Sequence, residues 1–249
     1  MLAWLLDPID ALRAHDVALH TAWHGRAMTL AWVVLFPLGI FAARFYKITP
    51  KQNWPERLDN KAWWYAHLAL QCSGGVAVTV AIILIWPGNW AGNWPGKIGT
   101  AGVHAWLGWS AVTLCAVQFL GGWLRGSKGG PEEQAIGKPL AGDHYDMTRR
   151  RRFFEYAHKV TGYAALLAAV AALINGLWAA NAPRWMWLVI AAWLIALVAL
   201  AIRLQRRGFT ADTYQAIWGP SQDHPGNRVQ PIGWGIRRRD ATPKSSPKS

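Results

Sequence analysis

Residues 63–86 read WWYAHLALQCSGGVAVTVAIILIW. None of the 24 side chains except His67 is ionisable in the ordinary pH range apart from a tyrosine and a thiol. At a rise of about 1.5 Å per residue the run exceeds a hydrocarbon core of about 30 Å. A lone apolar segment of that length has no water to satisfy its backbone, so it must be a helix that spans a membrane. Its one imidazole stands about one turn from the start, where a polar group is costly and therefore needs a partner or a function.

Working outward, the same pattern recurs. The spans are expected at about Ala22–Ala43, Ala62–Trp86, Ala101–Leu124, Phe153–Trp178 and Trp185–Ile202. The chain has 249 residues, 53% of them hydrophobic, with 18 Trp, and its mean hydropathy of +0.09 averages apolar spans with polar connectors. The expected fold class is all-α, a polytopic membrane protein with five transmembrane helices.

The net charge of +13 could suggest nucleic acid, but its distribution says otherwise. The N-terminal segment and the second and fourth connectors carry only Arg13, Arg26, Lys97 and Arg184. On the other side lie Arg44, Lys47, Lys51, Arg57 and Lys61 in the first connector, Arg125, Lys128, Lys138 and Arg149–Arg152 in the third, and nine more from Arg203 to Lys248. The split is four against 21, with Lys159 inside a span completing the 26. The positive-inside rule then places the N-terminus outside and the C-terminal tail in the cytoplasm of an inner or plasma membrane, and nucleic acid is excluded as a partner. The start, MLAWLLDPIDALRAHD, lacks the basic region, long apolar core and cleavage site of a signal peptide, so the first span is expected to direct insertion. Trp23, Trp86, Trp90, Trp94, Trp178, Trp185 and Trp187 at outer span ends, and Trp54, Trp63, Trp64 and Trp123 at inner ends, resemble two aromatic belts. Cys72 and Cys115 lie in apolar runs outside any CxxC and are read as buried, unpaired thiols.

The histidines carry the chemistry. His15, His20, His144 and His224 fall outside the confident spans, the first two within reach of an early extension of the first helix, whereas His24, His67, His104 and His158 fall one in each of the first four. Each sits within about two turns of its helix start, and successive helices alternate in direction. His24 and His104 are therefore near the outer face, and His67 and His158 near the inner one. Paired imidazoles across a bundle suit axial ligation of a metal. No thiolate or carboxylate set completes a zinc or di-iron site, whereas a flat macrocycle between two neutral nitrogens, haem b, fits. His104 is followed by Gly108 and His158 by Gly162, so each has a side-chain-free neighbour at i+4 where a porphyrin could lie. His67 has Gln71 at that place and His24 has Met28.

The stretches HGRAMTLAWVVLFPLGIFAARFY, HLALQCSGG, HAWLGWSAVTLCAVQFLGGWLRG and RRRRFFEYAHKVTGYAALLAAVAALINGL together resemble the transmembrane cytochrome b561 family, in particular the type associated with DOMON domains. The resemblance covers about residues 20–203. It implies a four-helix bundle core with two haem b groups, ligands pairing first to third and second to fourth helix. Carried over, these are His24 with His104 and His67 with His158, the pairing that helix direction also gives. Family members commonly have six spans with both termini inside; one fewer here agrees with an outer N-terminus. The implied activity is one-electron transfer across the membrane, with irons roughly 20 Å apart for ligands about four residues inside helices of about 22. Lys61 and Arg152 each precede an inner histidine by six residues, an offset at which the family binds an anionic reductant such as ascorbate. Tyr65 and Ala66 stand where a second basic residue is expected, which leaves quinol or a redox protein equally open as donor. Arg26 is assigned either to a haem propionate or to the lipid headgroups.

Two other readings stand beside electron transfer: a membrane-anchor cytochrome subunit for a separate dehydrogenase or reductase, and a haem-free transporter or proton channel using its histidines as relays. A second copy of the chain or a redox partner subunit is compatible with each. Glu155 and Lys159, at i and i+4, read first as an ion pair and second as a proton-coupling element, and Gln118 and Asn175 as interhelical polar links. The chain divides into a membrane domain, 1–204, and a cytoplasmic tail, 205–249, with order expected at TADTYQAIW and disorder after about Gly233. The 125–152 loop shows no G-x-G-x-x-G of a nucleotide site.

Overall fold

The computed structural model of the chain describes residues 2–89, 100–129 and 141–239. Among these residues the structure is helical with isolated bridges and no strands: α1 (Leu2–Leu6), α2 (Leu19–Phe45), α3 (Ala62–Asn89), α4 (Thr100–Trp123), α5 (Arg149–Ala179), α6 (Arg184–Arg206) and α7 (Thr213–Trp218), followed by a 3₁₀ turn at Pro225–Arg228. Helices α2 to α6 are each long and apolar enough to cross a membrane, and the protein is an all-α integral membrane protein. Trp90, Trp94, Lys97 and Lys138 lie outside the described residues.

Pro37 shapes α2. It has no N–H, and its ring crowds the carbonyl four residues back, that of Val33. The helix widens to a π turn over Leu30–Leu35 immediately before it, and the Val33 carbonyl accepts instead from Trp193 Nε1 of α6 at 2.8 Å. A proline thus supplies the acceptor that ties α6 to the bundle.

Ala31, Trp32 and Phe36 of α2, Val78 of α3, Ala111 and Cys115 of α4, and Ala165 and Ala169 of α5 share one buried core, so α2 to α5 form a four-helix unit with α6 outside it. Small residues admit the rings. A Cβ at Gly75 would stand 2.9 Å from Phe119 Cζ, and Gly74 lies against Phe36 in the same way. Cys115 is buried, but Cys72 is exposed on the outward side of α3, contrary to expectation; both are free thiols. Gln118 Nε2 donates across the α4–α5 interface to Thr161 Oγ1 at 2.5 Å. Asn175 bonds its own helix at Ala171, so it is not the interhelical link expected of it.

Helix α5 begins four residues earlier than hydropathy places it. Thr148 caps it, its hydroxyl accepting from Arg151 N at 3.2 Å and donating to Asp143 Oδ1 at 3.0 Å, and so the arginine run 149–152 becomes the first turn. At the far end Asn181, buried and in the left-handed region with φ 46°, accepts from Asp10 N and donates to the Asp10 and Arg13 carbonyls, which lays the N-terminal segment over the α5–α6 turn.

The tail is ordered further than expected. Thr210–Arg239 fold back over the basic end of the bundle, where Ala211 bridges Arg237, and Arg238 binds Asp212 and the carbonyls of Gly226, Asn227 and Val229. Each of these bonds satisfies a polar group that composition alone would have left to water. Residues 240–249 lie outside the described residues. The cap's aromatic side, Tyr214, Ile217 and Trp218 with Met147, closes on His144, whose Nδ1 accepts from Trp218 Nε1 at 3.4 Å.

Burial, reinforced by the nearby cations Arg151, Lys128 and Arg125, pushes His144 down to about 3, with Glu155 opposing. An unfolded histidine takes up a proton near 6.5 and the buried one does not, so stability of the cap is full above that value and falls as pH drops toward 3, by up to about 1.4 kcal/mol per pH unit. The protection factors of amides in Thr210–Arg239, with the pH dependence of intrinsic exchange divided out, should fall by up to about tenfold per pH unit on acidification below about 6.5, and His144→Phe should flatten that dependence.

Candidate functional site

His24 of α2 and His104 of α4 meet at one end of the bundle, their ring centres 6.3 Å apart and their planes at 73°. His67 of α3 and His158 of α5 lie toward the opposite, basic end, near enough that the charge of one acts on the other. Three of the four have the same second bond: Nδ1 reaches a carbonyl oxygen on a neighbouring helix, His24 to Ala81 at 2.9 Å, His67 to Gly39 at 3.0 Å and His104 to Ala172 at 2.8 Å. A carbonyl can only accept, so Nδ1 carries the proton and Nε2 is left with its lone pair. That is the tautomer a metal ligand needs. His158 Nδ1 is buried without a partner, its ring lying 5.2 Å from that of Phe154.

These distances can be tested against a bis-imidazole metal site. With metal–nitrogen bonds of about 2.0 Å and about 1.1 Å from each nitrogen to its ring centre, two axial imidazoles require centres roughly 6 Å apart. The His24–His104 separation meets that requirement. Among the described residues no cluster of three or more His, Cys, Asp or Glu competes as a metal site. A side chain at Gly108 would meet no protein atom within 4 Å, so backbone borders open space one turn from His104. Gly162 instead faces Gln118 at 3.4 Å. Gly176, which spacing does not single out, makes room for the His104 ring. A Cβ there would stand 3.0 Å from His104 Cε1, so a side chain would crowd the imidazole.

Charge is concentrated at the basic end. A cavity of about 270 Å³ is lined by Lys61, Arg125, Lys128 and Arg151, with Trp64 and His144 among its walls and Thr213 and Ile217 of the cap closing it. Arg125 lies over the Trp64 ring at 4.3 Å, and Lys128 pairs with Asp59. Arg151 binds Glu155 at 2.9 Å, and Lys159 holds the other carboxylate oxygen at 3.1 Å. Arg152 is exposed and absent from this wall. Helical phase explains the difference: Arg151, Glu155 and His158 stand at i, i+4 and i+7 on one face, and Arg152 is turned away from it. At the other end Arg26 is exposed and stacks on Trp23 at 4.9 Å.

These features define a class: an all-helical membrane protein that gathers imidazoles into a bundle core, three of them with Nε2 left as an acceptor. Residues 23–126 match the family model described as eukaryotic cytochrome b561. Over 154 residues, 62% of the chain, it is 29% identical to a cytochrome b561, DM13 and DOMON domain-containing protein of Arabidopsis thaliana, of which it covers 14%. Ferric-chelate reductase 1 of Homo sapiens is 29% identical over 156 residues, 62% of the chain and 22% of the relative. That of Bos taurus is 28% identical over 174 residues, 69% of the chain and 24% of the relative. Over residues 23–126 the chain is thus similar to the cytochrome b561 family, and it spans under a quarter of the length of each of these relatives. No solved structure matches it. That similarity makes haem b the cofactor to test for at this site.

Gly176→Val should push the His104 ring from its place and lower haem b bound per chain, measured by pyridine haemochromogen. Gly122→Ala, where an added Cβ meets nothing within 4 Å, should leave the haem content at the wild-type value.

Proposed function

We propose that the chain holds two haem b groups and passes single electrons across the membrane, between a reductant on the basic side, read as cytoplasmic, and an acceptor on the other. His24 with His104 would hold one haem, and His67 with His158 the second. The observation that carries this reading is the 6.3 Å separation of the His24 and His104 ring centres with both Nδ1 atoms committed to carbonyls. Bound haem supplies reversible one-electron chemistry. The residues of the chain do the rest. Helix carbonyls fix the imidazoles, the shared core of α2 to α5 excludes water, and the cations of the basic end hold negative charge there.

Lys61, Arg125 and Arg151 around the cavity suit an anionic donor such as an ascorbate-like enediol, with quinol or a redox protein as alternatives. Arg152, turned outward, suits headgroup contact better than a donor site. The stacking of Arg26 on Trp23 favours an interfacial anchor over a propionate ligand. The split of four basic residues against 21 supports the N-terminus outside and the tail in the cytoplasm. The relatives called ferric-chelate reductase make a ferric chelate the first acceptor to offer.

Purified protein should show haem b bands in its dithionite-reduced minus oxidised spectrum. His24→Ala or His104→Ala should each remove about half the haem, leaving the His67–His158 component, and both together should remove no more than either alone. In vesicles with a ferric chelate trapped inside and ascorbate outside, reduction should depend on both pairs. A preparation with no haem b bands would turn the assignment to a haem-free transporter or channel.

A further inference from the structure

Lys47 follows the end of α2 and is 5% exposed, covered by the C-terminal cap. Its Nζ donates to one acceptor, the Ala211 carbonyl, at 3.2 Å. The charged groups facing it are Lys159 and Glu155 from α5, Asp212 from the cap and Arg44 from α2. The two acids are already engaged, Glu155 between Arg151 and Lys159, and Asp212 with Arg238 at 3.1 Å. An ammonium with three donors, one carbonyl and two neighbouring cations is poorly compensated, so its neutral form is within easy reach. Lys47 is also close enough for its charge to act on His67. A buried, under-solvated amine therefore stands between the cap and the histidine pair of the basic end.

We propose that Lys47 is the group that couples proton uptake on the basic side to electron occupancy of the His67–His158 site. This rests on the two-haem reading. When one electron arrives there, local charge falls by one and Lys47 Nζ takes one proton; when the electron leaves, Nζ returns it to water. An enediol or quinol donor gives up one proton with each electron, so electron and proton balance on the same face. Burial, with Lys159 beside it, pushes Lys47 down to about 7, inside the range where this exchange operates. The cap is part of the device, since Ala211 is held by the paired backbone bonds Asp212 N to Arg237 O at 2.9 Å and Arg237 N to Thr210 O at 2.8 Å.

The test is spectroelectrochemical titration of the full chain in lipid nanodiscs from about pH 6 to 9, in wild type, Lys47→Met and Lys47→Arg. In wild type one of two b-type components should lower its midpoint as pH rises through about 7, because protonated Lys47 favours the electron and the deprotonated amine does not. Lys47→Met should abolish that slope and leave the component at its alkaline value. Lys47→Arg, permanently charged, should also abolish the slope but leave it at the acid value, so the two variants shift in opposite directions. Lys51→Met, at an exposed site in the same connector, should change nothing. Retention of the wild-type slope in either Lys47 variant overturns the assignment while leaving two haems in place. A wild type with fewer than two b-type components overturns the two-haem reading instead, whatever the Lys47 variants do.

Discussion

In a bilayer no water is available to receive an imidazole N–H, and the histidines of this chain depend on how that N–H is satisfied. Ala81, Gly39 and Ala172 each offer a helix carbonyl as acceptor for Nδ1 of a histidine on a neighbouring helix. One bond does three things at once. It meets the cost of a buried donor, fixes the ring's tautomer and orientation, and ties two helices together. The bonds link α2 with α3 in both directions, through His24 and His67, and α4 with α5 through His104. The bundle therefore closes partly through the groups that define its site.

Such bonds require close helix approach, and small residues permit it. Gly39 supplies its carbonyl to His67, and a Cβ there would stand 2.7 Å from Gln71 Nε2, so the residue that accepts the bond also lets α3 come close. Gly176 makes room for the His104 ring, and Ala172, one turn away, takes its bond. Pro37 adds a different device, a backbone acceptor freed in the middle of a span and reused by Trp193 of a helix outside the core. Stabilisation from each of these bonds is modest, about 0.6 kcal/mol in measured membrane cases, so their value lies in placement more than in energy.

The five spans are legible in the sequence because hydropathy alone decides membrane helices, and the histidine order along them is legible because helix direction alternates. Other features are not. Gly176 is 72 residues from His104 and shares no local pattern with it. An offset of six from the histidine, matched to a family position, selects Arg152, while the phase of the helix, set by its Thr148 cap, turns Arg151 inward. Cys72 reads as buried because an apolar sequence does not distinguish a lipid-facing side from a core-facing one. The cap is hidden by composition: its Pro- and Gly-rich sequence has no sustained helical period, and around the buried Tyr214, Ile217 and Trp218 its order comes from Arg238, Arg237 and Asp212 bonding groups far away in sequence.

The two ends of the bundle differ electrically, and on the proposed reading that difference has a direction. Around His24 and His104 the nearby guanidinium, Arg26, is exposed and stacked on Trp23, whereas Lys47 and Lys159 with Arg151 and Glu155 surround the basic end under the cap. Cations in a low-dielectric setting hold an electron in place. A membrane potential negative on the cytoplasmic side works against that hold, by about 2.3 kcal/mol per charge for each 100 mV crossed. A fixed cation at the basic end would retard outward transfer permanently. A cation that can shed its proton relaxes as the electron leaves, so loss of charge from Lys47 and departure of the electron assist each other, and the cap that buries the amine is what gives the exchange its strength.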